Sequence, residues 1–493
     1  MILNGILGAL ASLSFLLTLW QWLAAWRFPL HRRSAEFRIG ANQAGSPSNA
    51  PNRSSALHPP VTLLKPLHGA DEHTESCLRS WFAQDYPGEI QMLFAVSEDA
   101  DPVCDIVKKL LLEFPTHQAR LVVCSSRCGV NAKVSKLAQL EPEAKHEIIV
   151  VSDADVFVPP DLLTNLIPPL TQSVGHKHSA ESSRGNSASE SERRVPALRE
   201  SEPREAGASR SDRAVAGSDA HPMLKAEAPH NPAFPKTEDH RSPALSALLR
   251  REGRENAGAP IGLVNCFYRL TNSTTLASRC DAVAVNADFW SQVLQSRSLS
   301  RLEFALGAVM AVRRDALKQI GGFAAFADHL ADDYQLGRRI ARAGWRIEFC
   351  PVVVECRDVA KSWRRIWARQ LRWARTIRVC EPWPYFFSLL SNATLWPLLW
   401  LALEPAPISL AAGCGFIVVR IAAALDLQRR LNRSSGHFRD FWLVPVKDLL
   451  QVAIWALAFT SRSVEWHGER FWLRRDGTME RCPTASRMKG PGA

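Results

Sequence analysis

Two aspartates directly follow a short apolar run at residues 148–151. The run is rich in β-branched residues, which is typical of a strand buried on both faces. Asp153 and Asp155 come next, and an open α/β sheet binds its ligands at the carboxyl ends of its strands. Two carboxylates at this spacing suit Mg²⁺ or Mn²⁺ carrying phosphate oxygens as further ligands. The pattern therefore indicates a metal–diphosphate site, and turn chemistry or a helix cap is the alternative.

Other residues able to do chemistry follow predicted strands or begin predicted helices. Asp99 and Asp101 end the second predicted strand, where carboxylates accept hydrogen bonds from a nucleobase or ribose, or only form a turn. Lys133 lies near a helix start, where it meets a phosphate as a point charge or remains solvated. Asp332 and Asp333 begin an amphipathic helix, so they favour its dipole or supply a general base to an acceptor hydroxyl.

The elements that must position these residues alternate between strands and helices. Strands are predicted over 61–64, 90–96, 120–124, 148–151, 261–264, 307–313 and 344–348. Helices are predicted between the first four strands, over 72–82, 105–114 and 129–140. This alternation predicts an α/β fold with a mostly parallel sheet, flanking helices and polar strand ends on one side.

Composition narrows the class of partner. The 60 Lys and Arg residues exceed the 49 Asp and Glu residues, which suits nucleic acid, anionic lipid or a phosphorylated substrate. The chain has no nucleic-acid-binding module, so we expect no nucleic-acid partner. Its 16 tryptophans are consistent with a membrane interface. The 11 cysteines form no Cys-x-x-Cys pair, which argues against a disulfide framework or structural zinc and suits a reducing compartment.

Residues 171–260 differ in composition from the rest of the chain. Ser, Glu, Arg, Ala and His dominate there, and apolar periodicity is lost. We expect a disordered insertion in a surface loop, which is tolerable because loop-closure entropy grows slowly with length. A regulatory or docking role and a neutral expansion both stay open, and no site residue is placed in it.

Apolar segments at both ends predict membrane contact. Residues 2–26 are uncharged and long enough to span a bilayer. Arginines follow them, which places the next segment in the cytoplasm. A cleaved signal peptide is the alternative. Residues 386–403 and 406–425 predict a helical hairpin. Lys447 and Asp448 interrupt the apolar segment 441–459, so a full span and a re-entrant or interfacial segment are equally consistent.

The motifs form an ordered set in which the chain resembles the membrane-bound GT-A glycosyltransferases. The members are Asp101, Gly129-x-Asn131-x-Lys133, Asp153-x-Asp155, Gly321-Gly-Phe323, Asp332-Asp333 and Arg369-x-x-Arg372-Trp373. Additional segments resemble the ceramide glucosyltransferase family, glycosyltransferase family 21. These are Lys65-Pro-Leu-His-Gly69, Lys108-Lys-Leu110, Asp332-Asp-Tyr334 through Gly344-Trp-Arg346, and Val464-x-Trp466-x-Gly468. The resemblance covers nearly the whole chain except about residues 171–260, and bacterial hopanoid N-acetylglucosaminyltransferases share the same motifs.

The resemblance implies a GT-A fold, a UDP-sugar donor and a divalent cation, Mg²⁺ or Mn²⁺. It implies that Asp101, together with Asp99, lies beside the uridine. Asp153 and Asp155 would hold the metal, with Asp153 also at the ribose–diphosphate. Lys133 belongs to the same nucleotide-sugar-binding set.

The resemblance also implies roles on the acceptor side. Asp333 would be the catalytic base that takes the proton of a lipid hydroxyl. Arg369, Arg372 and Trp373 would lie against the diphosphate and the acceptor entrance, although the same basic and aromatic helix also suits a headgroup layer. The long insertion directly after the metal motif is a departure from the family pattern.

The implied reaction moves glucose from UDP-glucose to the primary hydroxyl of ceramide, with inversion, to give glucosylceramide. Transfer of N-acetylglucosamine to a hopanoid polyol stays open, because both acceptors present a primary hydroxyl beside an apolar body. A processive polysaccharide synthase needs more helices for a polymer channel than the chain offers. A non-catalytic basic membrane scaffold is the alternative from another class, and it needs none of the ordered aspartates.

The chain is predicted to be an integral membrane protein of a bacterial inner membrane, with its catalytic domain in the cytoplasm. Its predicted organisation has seven parts. The parts are an N-terminal transmembrane helix (1–27), a linker (28–59), a nucleotide-sugar-binding half (60–170), the insertion (171–260), an acceptor and catalytic half (261–381), membrane helices (382–460) and a basic cytoplasmic tail (461–493).

Overall fold

The computed structural model describes residues 2–31, 58–171, 259–357, 359–433, 436–466 and 468–482. Most of the predicted linker and nearly all of the predicted insertion lie outside these ranges. The division of the chain into seven parts therefore stays a prediction.

Eleven strands are described, eight of them in one sheet with the order β3-β2-β1-β4-β7-β6-β8-β5. Their bounds are β1 Val61–Pro66, β2 Ile90–Val96, β3 Gln118–Val123, β4 Ile148–Ser152, β5 Val156–Phe157, β6 Ile261–Thr271, β7 Val309–Arg313, β8 Arg346–Arg357, β9 Ser463–Trp466, β10 Glu469–Leu473 and β11 Met479–Arg481. Strands β6 and β8 are longer than the sequence pattern predicts, because both continue past the apolar core into partly exposed residues.

The large sheet confirms the predicted α/β class. Strand β1 is parallel to β2 and β4, β2 is parallel to β3, and β6 is parallel to β8. Strand β7 is antiparallel to both β4 and β6, and β5 is antiparallel to β8. Six of the eight strands therefore point the same way, and their carboxyl ends share one edge.

Helices cover both faces of this sheet. Their bounds are α1 Ile2–Arg27, α2 Thr74–Phe82, α3 Val103–Glu113, α4 Ala132–Leu140, α5 Leu162–Leu166, α6 Pro168–Thr171, α7 Leu276–Val283, α8 Trp290–Leu299, α9 Arg314–Gln319, α10 Asp332–Arg342, α11 Trp363–Cys380, α12 Pro382–Phe387, α13 Leu395–Leu403, α14 Pro407–Asn432 and α15 Leu443–Ala458. Successive residues of β1 alternate between two cores, with Leu63 in one and Leu64 in the other. Each face of the sheet therefore has its own apolar layer.

Two helices, α1 and α14, are long and apolar enough to cross a membrane. They run in the same direction, since Phe15 stacks on Phe416 and the indole of Trp400, just before α14, donates to Asn4 Oδ1 at 2.6 Å. The carboxyl ends of both helices join the core on one face of the sheet through Ala25 and Leu427.

The predicted first arm of the hairpin, residues 386–403, is not one straight helix. It is divided between α12 with the short turn after it and α13, which are bent by 52° relative to each other. Asn392 causes the break, because its side-chain oxygen accepts hydrogen bonds from the backbone N–H groups of Thr394 and Leu395. Helix α15 has 16 residues, and whether it spans the membrane stays a prediction.

The charges within α15 are buried in an ion cluster. Arg420 lies 2.8 Å from Asp288 and 2.9 Å from Asp448, and Lys447 pairs with the same two aspartates. Thr394 donates a further hydrogen bond to Asp448 at 2.5 Å. Two positive and two negative groups balance, so the charges that make this apolar segment costly in isolation are neutralised by partners outside it.

The predicted basic tail contains a small folded sheet, with the order β11-β10-β9. Its apolar side chains pack with Val130 and Leu330, which precede helices α4 and α10. A backbone bridge between His329 and Thr478 adds to this contact. Residues 463–481 therefore form a folded sheet that packs against the segments preceding α4 and α10.

We expect Asp288→Asn to destabilise the protein by about 3–5 kcal/mol, because it leaves Arg420 and Lys447 buried with only one aspartate. The thermal unfolding midpoint of the full chain in detergent measures this loss. Glu480→Gln is the control, since its ion pair with Arg474 is exposed and screened by water. Equal midpoints for the two variants would contradict a structural role for the cluster.

Candidate active site

The carboxyl edge of the large sheet brings together three motifs that are far apart in the sequence. Lys133 Nζ lies 2.8 Å from Asp153 Oδ1 and 2.9 Å from Asp332 Oδ2. Burial lowers the pKa of Lys133, but the two carboxylates more than offset burial and hold this pKa above its usual value. The lysine therefore stays charged and joins the end of β4 to the start of α10.

The Gly129-x-Asn131-x-Lys133 pattern has a local structural cause. Asn131 is the N-cap of α4, and its side-chain oxygen accepts from the backbone N–H of Lys133 at 3.0 Å. Its side-chain nitrogen donates to the carbonyl of His329 at 2.9 Å, which fixes α4 against the approach to α10. A Cβ at Gly129 would lie 2.6 Å from the Cβ of Ala327, so this close approach needs glycine.

A buried lysine, Lys65, lies beneath the aspartates. It begins one of the family motifs named above, but no role in the site was predicted for it from the sequence. Lys65 Nζ at the end of β1 donates to the carbonyl of Asp153 at 2.5 Å and to Ser152 Oγ at 3.3 Å. It also lies 5.4 Å from the ring centroid of Trp81. Burial lowers the pKa of Lys65 to about 8. This contact fixes the backbone of the turn that carries both aspartates.

The donor set at this turn fits a hard divalent cation. Burial, and then the charge of Asp153, raise the pKa of Asp155, so additional positive charge beside Asp155 would favour its ionised form. The Asp155 carbonyl accepts from Arg357 N at 2.9 Å, which holds the turn against β8. Within the described ranges no group of three or more His, Cys, Asp or Glu side chains forms a complete metal site. A cation bound by Asp153 and Asp155 would take its other ligands from a diphosphate.

Asp333 lies in the first turn of α10. Burial, and then the neighbouring Asp332 carboxylate, raise the pKa of Asp333 to about 6, although Lys133 acts in the opposite direction. The backbone N–H of Tyr334 donates to Asp333 Oδ1 at 2.7 Å. A Cβ at Gly307 would lie 3.0 Å from Asp333 Oδ2, so the absence of a side chain at Gly307 leaves room for this oxygen. A carboxylate with this pKa is suited to accept a proton near neutral pH.

The two aspartates after β2 differ in their surroundings. Burial raises the pKa of Asp101, but hydrogen bonds from the backbone N–H groups of Val103 and Gly69 more than offset it, so the pKa lies below its usual value. The Asp99 side chain is 69% exposed and lies 3.4 Å from Lys108. Asp101 is therefore a fixed carboxylate that also organises the loop after β1, and Asp99 is a surface residue.

Helix α11 carries the basic and aromatic motif. The Arg369 guanidinium pairs with the buried Asp281 of α7 and lies 5.0 Å from the ring centroid of Trp373. Gln370 donates to the same aspartate at 2.7 Å. Arg372 makes no ion pair within the described part of the chain, and burial followed by the charge of Arg369 lowers its pKa to about 10. Arg369 is thus partly committed to Asp281, which the sequence motif does not show.

Tyr268 is a second residue that the sequence patterns missed. It lies on β6, where burial raises the pKa of its phenol and the charges of Asp333, Arg369 and Asp155 also act on it. Its ring packs against Phe289 with the centroids 5.5 Å apart. The phenol is thus close enough to Asp333, Arg369 and Asp155 for their charges to act on it, and no sequence motif marks it.

The family model described as Glycosyl transferase family 21 matches residues 11–191 and 254–479 of the chain. Curated relatives named ceramide glucosyltransferase are similar over a shorter stretch. The protein from Candida albicans is 31% identical over 136 residues, which is 25% of this chain and 25% of the relative. The protein from Komagataella phaffii is 31% identical over 123 residues, or 24% of each chain. The chain therefore spans about a quarter of the length of the curated relatives that it matches.

Solved structures are similar only at low scores. A mannosyltransferase from Pyrobaculum calidifontis in complex with GDP-Man and Mn²⁺ has 17% identity and a TM-score of 0.39, covering 91% of this chain and 99% of that one. A glucosyl-3-phosphoglycerate synthase from Mycobacterium tuberculosis in complex with Mn²⁺, UDP and phosphoglyceric acid has 15% identity and a TM-score of 0.29, covering 63% and 75%. Scores this low support no conclusion about the present chain.

The opposite pKa shifts of Asp333 and Asp101 predict different pH dependence of stability. The pKa of Asp333 is raised by folding, so its contribution to stability is present below the ordinary carboxyl pKa and is lost as pH rises through about 6. Asp333→Asn should therefore gain stability relative to the original protein as pH rises from about 5 to about 8. Thermal unfolding midpoints of the two proteins across this range measure the difference.

Asp101→Asn is the matched control for this experiment. The pKa of Asp101 is lowered, so its stabilising contribution is present above the ordinary carboxyl pKa and is lost only as pH falls below it. This variant should be less stable than the original protein by a nearly constant amount over the same range. A constant difference for Asp333→Asn as well would contradict the raised pKa of Asp333.

Proposed function

Because the chain belongs to glycosyl transferase family 21, we propose that it transfers glucose from UDP-glucose to the primary hydroxyl of ceramide, with inversion at the anomeric carbon. The observation that carries this proposal is the double ion pair of Lys133 with Asp153 and Asp332. It joins the proposed diphosphate motif to the helix that bears Asp333, so a donor sugar at the first lies next to a base at the second. The curated relatives named ceramide glucosyltransferase support the choice of substrates.

The proposed donor site runs along the carboxyl edge of the large sheet. Asp101, which is anchored by backbone hydrogen bonds, accepts from the uridine, and the exposed Asp99 has at most a minor part. Asp153 lies at the ribose–diphosphate, and Asp153 with Asp155 would hold Mg²⁺ or Mn²⁺. When bound, this cation supplies positive charge to the diphosphate leaving group.

The chain's own cationic side chains also favour departure of the diphosphate. Lys133 remains charged between two carboxylates and lies beside the proposed diphosphate position. Arg369 on α11 adds positive charge near Tyr268 and Asp155, and Arg372 adds a second positive charge beside Arg369. Trp373 packs on Arg369 at the proposed acceptor entrance. Preorganised charges of this kind stabilise a leaving group at no cost of reorganisation.

Asp333 completes the reaction as general base. Its pKa of about 6 leaves it ionised at neutral pH yet close enough to the operating pH to take a proton efficiently. The ceramide oxygen attacks the anomeric carbon as its proton moves to the Asp333 carboxylate, and the bond to UDP breaks. One in-line displacement inverts the anomeric centre, so α-linked glucose in the donor becomes β-linked in the product.

The membrane segments fit a lipid acceptor. Helices α1 and α14 end at the sheet core, and α11 leads directly into the exposed aromatic residues Trp383, Phe386 and Phe387 of α12. Aromatic side chains of this kind favour the headgroup layer. We propose that the acceptor enters along α11 from that layer and that the catalytic region faces the cytoplasm at a bacterial inner membrane.

A transfer assay tests the substrates. Purified full-length protein in detergent with Mn²⁺ would be offered radiolabelled UDP-glucose or UDP-N-acetylglucosamine, each with ceramide or with a hopanoid polyol. We expect glucosylceramide, and we expect it to be lost on adding EDTA because the diphosphate then lacks its cation. Heat-denatured protein is the control for chemical transfer.

The other outcomes of this assay separate the alternatives. If product forms only from UDP-N-acetylglucosamine and the hopanoid, the proposed site stands and both proposed substrates are wrong. Product that survives EDTA would contradict the role of the metal. No product from any pair, in protein that shows a cooperative unfolding transition, would favour the membrane scaffold.

Asp333→Asn should lower the rate of transfer on the order of 10²–10⁴-fold, because a general base contributes that much to a rate. UDP binding, measured by calorimetry, should be unchanged. In the original protein kcat/KM should rise with pH and level off above about 6, since only the ionised carboxylate accepts a proton.

Asp315→Asn is the matched control, because Asp315 is a partly exposed carboxylate at the start of α9 that pairs with Arg313. It should leave transfer nearly unchanged. Full turnover by Asp333→Asn would exclude Asp333 as the base.

A further inference from the structure

The carboxyl ends of the two long apolar helices enclose a polar cavity that the proposed reaction does not use. The cavity has a volume of about 580 Å³ and lies between the last turn of α1, the turn after it and the last two turns of α14. Its arginines are Arg27, Arg429, Arg430 and Arg433, and its only carboxylate among the described residues is Asp426. The cavity is therefore strongly basic at the level where both helices leave their apolar spans.

The single carboxylate does not neutralise the arginines. Asp426 accepts from the indole of Trp22 at 2.7 Å and from Arg430 at 2.6 Å, so it is already shared between two donors. Arg433 donates to the carbonyl of His31 at 3.1 Å and makes no ion pair within the described ranges. The exposed Arg27 and Arg429 side chains have neither hydrogen bond nor ion pair there. Three positive charges face the cavity without a counter-charge from the described chain.

The rim of the cavity has the character of a membrane interface. The ring of Trp26 is 61% exposed, and the Arg430 guanidinium lies 5.8 Å from its centroid. Phe28 packs into the sheet core, edge-on to Phe267, with the two ring centroids 5.4 Å apart. An exposed tryptophan next to arginines is typical of the headgroup level, where the ring lies against lipid and the charges reach phosphate.

Helix geometry alone does not account for this arrangement. Basic residues in a last turn favour the dipole of their own helix, and arginines at the end of a span fit the usual charge bias of membrane proteins. Neither effect requires arginines from two separate helices to line one cavity. Converging guanidinium groups are the arrangement that recognises phosphate oxygens through paired hydrogen bonds.

We propose that this cavity binds the phosphate of an anionic phospholipid headgroup at the membrane surface. Arg27 and Arg429 contact the phosphate, one from each helix, and Trp26 packs along the start of the acyl chains. The bound lipid would join α1 to α14 next to the sheet core that both helices enter. Basic pockets between membrane helices bind anionic headgroups in this way.

Binding of short-chain lipids to the full-length protein in neutral detergent tests the proposal. Native mass spectrometry would count bound dioctanoyl phosphatidylglycerol, with dioctanoyl phosphatidylcholine and glycerol phosphate in parallel. We expect saturable binding of phosphatidylglycerol only. Arg27→Gln with Arg429→Gln should weaken that binding on the order of 10-fold or more, since each arginine near an anionic headgroup contributes to the affinity.

The control variant loses two positive charges that lie outside the cavity. Lys318→Gln with Arg342→Gln removes two exposed positive charges from helices α9 and α10, and it should bind phosphatidylglycerol like the original protein. Arg27→Lys with Arg429→Lys should retain part of the affinity, and matching thermal midpoints would show that all variants are folded.

Three outcomes would overturn the proposal. Equal binding of phosphatidylglycerol and phosphatidylcholine would show that no phosphate-specific charge site exists. If Arg27→Gln with Arg429→Gln and the control variant lose phosphatidylglycerol binding equally, the effect is only one of net charge. Binding of glycerol phosphate as tight as that of the lipid would assign the cavity to a soluble phosphorylated ligand.

Discussion

The position of Lys133 between Asp153 and Asp332 is the interaction on which the site depends. Without a cation, the two aspartates of the turn and the two at the start of α10 would face one another at the same edge of the sheet. Burial, and then the neighbouring carboxylate, raise the pKa of Asp155 and of Asp333, so both environments disfavour ionisation. The lysine offsets part of that repulsion, and the cap made by Asn131 holds the lysine in place. A single side chain thus joins the end of β4 to the starts of α4 and α10.

Much of this edge could be predicted from the sequence, because strand ends and motif order are local signals. The buried β-branched run before Asp153 identifies a strand, and parallel strands place their carboxyl ends together. The family match confirms the family that the ordered motifs predicted. The roles of the individual residues are still proposals, since the position of a carboxylate does not by itself identify its substrate.

What could not be predicted depends on contacts between residues that are distant in the sequence. Lys65 and Tyr268 lie just beyond the predicted strands 61–64 and 261–264, and only the fold brings them near the aspartates. Lys447 and Asp448 interrupt an apolar segment in the sequence, and only the fold brings their counter-charges, Asp288 and Arg420, beside them. The small sheet of residues 463–481 lacks apolar periodicity, and its packing on Val130 and Leu330 supplies its core.

The ion cluster also sets an order of events during synthesis. Asp288 precedes Arg420 by 132 residues, and Arg420 precedes Asp448 by 28 residues. At translation rates of about 5–20 residues per second, Arg420 is synthesised on the order of 10 s after Asp288. When helix α14 has been made, the second counter-ion of its Arg420 has not. The segment that carries Asp288 and the apolar helices α14 and α15 therefore cannot complete folding one after the other. A nascent chain stopped between them would hold a charge that only the missing part can balance.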